Sequence, residues 1–109
     1  MSQQLLVRIY LEESYQHQGK PAYQVLLEYL RRENYAGATI LRGIEGFGRS
    51  QKIHSADILD ISTDLPIVIE IIETPENVKK LKNYLSSSEI VKDALITEEK
   101  VSVTRLGRE

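Results

Sequence analysis

Apolar and polar residues alternate near the start of the chain. In QLLVRIYL (4–11), Leu5, Val7, Ile9 and Leu11 share one face, while Arg8 and Tyr10 take the other. That period of two, built from β-branched and aromatic residues, predicts a half-buried strand. The polar EESYQHQGK that follows, punctuated by Gly19, predicts a loop. Pro21 suits the first turn of a helix, where its missing N–H has no partner to lose. From there Ala22, Val25, Leu26, Tyr29 and Leu30 form an apolar stripe, with Glu28, Arg31, Arg32 and Glu33 facing away. The pattern predicts an amphipathic helix ending near Asn34 to Gly37.

ATILR (38–42) predicts a second strand, ADILDIS (56–62) an extended segment, and LPIVIEII (65–72) a strand with Pro66 near its start. The nearly unbroken apolar run 65–72 predicts burial on both of that strand's faces. Thr74, Pro75 and Glu76 form a helix-start signature, and Val78, Leu81 and Leu85 give that helix its core stripe. SSSE (86–89) is expected to break it, and ALITEEKVSVTRL (94–106) to supply a last strand or hairpin. The order is β-α-β-β-α-β, an α+β ferredoxin-like sandwich with two helices on one sheet face. Self-association is the common way for such a domain to cover the other face. With 109 residues and no internal repeat or linker, residues 1–109 are expected to form a single domain.

Composition narrows the function classes. The chain has no cysteine, which excludes disulfides, thiolate metal sites and cysteine nucleophiles. A net charge of −2 argues against a nucleic-acid partner, which calls for a basic footprint. No basic leader precedes an apolar stretch, and no apolar run approaches the ~20 residues that cross a bilayer, so the expectation is a cytoplasmic protein without membrane insertion.

The candidate chemistry is concentrated in LRGIEGFGRSQKIHSAD (41–57), where three of the six glycines fall between positions 43 and 48. GIEGFGRS (43–50) nearly matches the phosphate-binding loop G-x-x-x-x-G-K-[ST], with Arg49 in place of lysine. Against that match, QKIHSADILDIS (51–62) has no helical stripe to aim a dipole at a phosphate. A glycine-rich turn can also hold an anion on successive N–H groups, with Arg42, Arg49 and Lys52 adding charge-assisted contacts. A solvated basic loop whose turns need glycine explains the same residues. His54 and Asp57, with Ser50 or Ser55, can be drawn as a base, its orienter and a nucleophile, but neighbours in a loop lack the geometry that chemistry needs. His17 and His54 are too few for a metal cluster, Glu70 and Glu73 fit rim positions, and Tyr10, Tyr23 and Tyr29 fit packing or interface roles. No catalytic residue and no metal ligand is assigned.

VRIYLEE, GKPAYQVLLEYLRRENYAGATILRGIEGFG, KIHSADILDIS, DLPIVIEII and LITEEKVSVTRL together resemble the PII-like signalling family catalogued as domain of unknown function 190, over about residues 4–106. The specific part is GATILRGIEGFG, then a histidine, then S-x-D-L-P. Arg49–Ser50–Gln51 fall where family loops vary, and the nucleotide-binding and modified-tyrosine motifs of true nitrogen-regulatory PII proteins are not reproduced. The resemblance implies a PII-like homotrimer with a long loop after the second strand that reaches partner proteins, such as a membrane transporter or channel. It further implies that no cofactor is required and that small effectors, typically adenine nucleotides (AMP, ADP or ATP), sit in clefts between subunits. Carried onto this chain, it places Gly43, Gly46, Phe47 and Gly48 at the loop base, Arg42 and Lys20 beside the cleft, and Arg105 reaching in from the adjacent subunit. Arg49, Lys52 and His54 are then the loop's contacts with partners. The expectation is a non-enzymatic sensor. Its rivals are an enzyme on phosphorylated substrates that uses the Walker-like glycines, and a purely structural trimer resembling the copper-tolerance proteins.

Overall fold

The computed structural model describes residues 2–47, 53–55, 64–91 and 94–107. Strand β1 (Ser2–Glu12) is followed by a two-residue ribbon, β2 (Gln16–His17) and β3 (Lys20–Pro21), then helix α1 (Ala22–Arg32) and strand β4 (Thr39–Arg42). A second small ribbon, β5 (Glu45–Gly46) with β6 (His54–Ser55), precedes β7 (Pro66–Glu73), α2 (Pro75–Ser88) and β8 (Leu95–Val103). The main sheet runs β4-β7-β1-β8, antiparallel throughout, with α1 and α2 contributing to one core.

The alternation in the sequence sets the register. Val7, Ile9 and Leu11 of β1 and Ile67, Ile69 and Ile71 of β7 turn their side chains into that core, against Leu26, Leu30, Val78, Leu81 and Leu85 of the helices. Each such side chain contributes roughly 1.5–3 kcal/mol of burial. Tyr29 and Tyr84 stack between the helices, ring centroids 3.6 Å apart.

Helix α1 ends as its sequence suggests. Asn34 adopts a left-handed φ of 62°, the Tyr35 amide donates to the Leu30 carbonyl (3.0 Å), and the Asn34 amide donates to that of Arg31 (3.2 Å). This is a Schellman-type stop whose first and last residues, Leu30 and Tyr35, are both buried. Helix α2 starts with Thr74 accepting from the Asn77 amide, with Pro75 inside the first turn.

Three expectations change, and the choice left open between strand and hairpin at 94–106 is decided. The loop expected at 12–20 carries most of the β2–β3 ribbon, closed by Gln18 and Gly19 at φ of 52° and 84°, a turn for which glycine is suited. Pro21 pairs with Gln16 in that ribbon as the residue capping α1, one position before the helix's first turn. Ser86, Ser87 and Ser88 do not break α2: they form its last turn, and the Ser86 and Ser87 hydroxyls donate back to main-chain carbonyls three and four residues earlier. Residues 95–103 form one strand, not a hairpin. Strand β7 is fully buried on its helix side only, because Val68 and Glu70 are half-buried and Ile72 is exposed on the other. The extended segment expected at 56–62 lies outside the described residues.

Candidate functional site

Thr39 to Arg42 pair with Glu70 to Ile67, and there the β4–β7 ladder stops. Beyond Thr39 the chain stands away from β7 and leaves an open cavity of about 220 Å³. Ala36, Gly37, Ala38 and Thr39 form one wall, Glu70, Ile71 and Ile72 the other, and Arg105 reaches in from the tail after β8. A split ladder exposes main-chain donors and acceptors of both strands, which suits the edge of a planar heterocycle, and the guanidinium supplies a charge for an anion. Glu70 is held by Arg8, whose Nε donates to it at 3.0 Å while a terminal nitrogen donates to Glu99 at 3.2 Å. The Glu70 hydrogen bond is the main reason the Arg8 guanidinium holds its proton even more firmly than usual, with Glu99 adding to it.

Behind the wall, Glu73 is 4% exposed, so the expectation of a rim group is wrong for it. One carboxylate oxygen accepts from the Ala36 amide (2.5 Å), and the other from the Thr74 amide (3.1 Å) and the Asn77 side-chain amide (2.9 Å). Tyr35 donates its hydroxyl to the Asn77 carbonyl (3.0 Å), and burial, more than the neighbouring Tyr29, Glu73 and Glu33, pushes its phenol pKa well up.

The residues singled out in the sequence are split between two places. Arg105 lies at the cavity. Arg42, Gly43, Gly46 and Phe47 lie at the other end of β4, about 10 Å along the strand at ~3.3 Å per residue. There Arg42 pairs with Glu13, and Ser14 donates its amide (2.8 Å) and hydroxyl (2.6 Å) to Asp64, so the β1–α1 connection grips both ends of the long excursion. The Gly43 amide donates to the Pro66 carbonyl at 2.8 Å. A Cβ on Gly43 would come 2.8 Å from Cγ of Pro66, and one on Gly46 3.4 Å. These two glycines therefore make room for a proline ring, and neither has a positive φ. With the Gly43 N–H occupied and His54–Ser55 in a strand where a phosphate-binding loop continues into a helix, the Walker-like match has no matching context. Phe47 is exposed, and Lys20 sits exposed in the β2–β3 ribbon opposite His17. Gly48, Arg49 and Lys52 lie outside the described residues, as does the side chain of His54. Sequence reasoning missed Ala36, Gly37, Ala38 and Thr39. Their one signal is position: they follow the stop of an amphipathic helix and lead into a strand.

The family of domain of unknown function 190, described as "Uncharacterized ACR", matches residues 4–103. The chain belongs to this family. A UPF0166 protein of Aquifex aeolicus is 36% identical over 101 residues, 93% of each chain, and one of Methanocaldococcus jannaschii is 33% identical over 70% of this chain and 69% of its own. In fold, the DUF190 chain is similar to CPII of Thiomonas intermedia K12, a nitrogen regulatory PII-like protein. The CPII structure bound to ADP and bicarbonate superposes with a TM-score of 0.69 at 20% identity, over 95% of this chain and 91% of that one. The structure bound to ADP, AMP and bicarbonate gives 0.68 at 17%, over 96% and 97%. The ferredoxin-like, PII-like fold expected from the sequence is the fold observed.

Proposed function

We propose that this DUF190 protein is a PII-like, non-enzymatic regulator that binds an adenine nucleotide in clefts between the subunits of a homotrimer. The open cavity that Arg105 helps to line is the observation that carries this reading: main-chain edges for a base lie beside a cation for a phosphate. Its ~220 Å³ falls short of the roughly 300–1,000 Å³ of small-molecule sites, which fits a seat completed by a neighbouring subunit. The glycine end, with Arg42, Gly43, Gly46 and Phe47, would be the complement that the neighbour brings. The outer sheet face favours such an assembly. Tyr10, Leu41, Ile72 and Leu95, half of the large apolar side chains left exposed among the described residues, all point from it. The PII-like neighbour crystallised with ADP and AMP supports the choice of ligand class.

Residues 43–65 would carry the output, with Arg49, Lys52 and His54 meeting a partner protein. A ligand that prefers one arrangement of that excursion shifts its population, and a coupling of ~1–3 kcal/mol is enough for regulation. Titration calorimetry with AMP, ADP and ATP, with and without magnesium, tests the proposal. Stoichiometric binding without phosphate release is expected, weakened in Arg105→Ala. Absence of binding below millimolar concentration rejects it and leaves a structural trimer, and turnover would favour an enzyme.

A further inference from the structure

The register of β4 against β7 locates a second kind of residue at this cavity. Continued past Thr39↔Glu70, it would set Ala38 against Ile71, Gly37 against Ile72 and Ala36 against Glu73. The ladder is not continued. The Ala36 amide donates to the side chain of Glu73, 37 residues away, where a continued ladder would have set Ala36 against the main chain of that residue. We propose that Glu73 is the positioning residue of the cavity: its carboxylate takes up the Ala36 amide, keeps Ala36–Ala38 from zipping onto β7, and so holds the effector seat open. This rests on reading the cavity as that seat.

The donor set explains why a carboxylate is required. Among the described residues all three partners of Glu73 are N–H groups, from Ala36, Thr74 and Asn77. A buried carboxylate is tolerated here because both oxygens are satisfied and because it lies at the start of α2, whose N-terminus favours negative charge. Glutamine has the same shape but only one acceptor oxygen. Whichever way its amide is turned, its NH₂ meets a donor. Either Ala36 loses its anchor, or Thr74 and Asn77 do. Meanwhile Glu73 has no access to the cavity, so its effect on a ligand can only be transmitted through the wall.

The test compares the full-length protein with Glu73→Gln, Glu73→Ala, Asn77→Ala and Leu85→Ala. The last removes core volume at the far end of α2 and serves as a control for general destabilisation. Two quantities are read well below every melting temperature: affinity for AMP, ADP and ATP by calorimetry, and amide exchange at Ala36–Ala38 without ligand. The expected result is an affinity loss of about tenfold or more in both Glu73 variants and a smaller one in Asn77→Ala. Leu85→Ala should retain wild-type affinity, and faster exchange at 36–38 should appear only where Glu73 or Asn77 is altered. Wild-type affinity and wild-type exchange in Glu73→Gln overturn the proposal, as does an equal affinity loss in Leu85→Ala. If the wild type binds none of the three nucleotides, the effector reading falls by itself. Exchange at 36–38 then decides the role of Glu73, with faster exchange supporting it and unchanged exchange overturning it. Should the Glu73 variants not fold, Asn77→Ala decides by the same two measurements.

Discussion

Alanine at position 43 would place its methyl carbon 2.8 Å from Cγ of Pro66 and 3.6 Å from both its Cβ and its carbonyl oxygen. Carbon atoms are most stable about 3.5–4.0 Å apart, so the closest contact overlaps by ~0.7 Å or more. A proline ring has little room to swing away, and here its carbonyl is bound to the Gly43 amide at 2.8 Å, so yielding means loosening the β4 end of the sheet. Overpacking of this kind costs ~1–3 kcal/mol. For a domain of this size that corresponds to a fall in melting temperature of roughly 5–15 °C. Two other glycines calibrate the effect. At Gly46 the added Cβ would sit 3.4 Å from the same atom, and at Gly37 it would meet nothing within 4 Å, with no positive φ to oppose it. Gly46→Ala should therefore be mild, and Gly37→Ala neutral or stabilising by up to ~1 kcal/mol through the unfolded chain. Thermal unfolding at one fixed protein concentration gives the comparison, since self-association makes melting temperature concentration-dependent. Adding Pro66→Ala to Gly43→Ala should recover part of the loss as a coupling in a double-mutant cycle. The reasoning is refuted if Gly43→Ala melts with the wild type, or if Gly46→Ala falls as far.

Three further outcomes are expected. Glu89 ends α2 at a left-handed φ of 56°, so Glu89→Gly should stabilise by ~0.5–1 kcal/mol in urea unfolding, with an unchanged m-value. The Tyr35 phenol has a raised pKa in the folded chain, so its contribution is complete below the ordinary tyrosine pKa of about 10 and is lost as pH rises beyond it. A plot of stability against pH should fall on that alkaline side, and Tyr35→Phe should flatten the fall while costing ~1 kcal/mol at neutral pH for the lost Asn77 hydrogen bond. Ile72→Glu places a charge among the exposed apolar side chains of the outer sheet face and should reduce the proposed homotrimer to monomers in light scattering, with far-ultraviolet circular dichroism unchanged. A variant that remains assembled would show that this face is not the contact.

Much of the fold is legible in local patterning. The alternation in 4–11 and the stripe in 22–30 place Val7, Ile9, Leu26 and Leu30 in the core, where they are. The α2 start at Thr74–Pro75 is equally plain. The same period of two runs from Ile67 through Ile69 and Ile71 to Glu73, so the buried side of that glutamate was written in the strand. Its partner was not, because a carboxylate at a strand end looks like a rim group until its three N–H donors are placed around it. Ser86–Ser88 mislead for a related reason: the Ser86 and Ser87 hydroxyls bond back to the helix's own carbonyls, and Tyr84 and Leu85 just before them are held by packing.

By itself, then, the sequence determined which residues alternate, which form helical stripes, where α1 and α2 begin, and the family to which the chain belongs. These depend on neighbours a few positions apart. Tertiary structure alone decided that Gly43 and Gly46 accommodate Pro66, that Arg42 is taken up by Glu13, and that Arg105 arrives opposite Ala36–Thr39. Each of those depends on groups brought together across the sheet, where the parting of two strands creates a space that no local periodicity encodes.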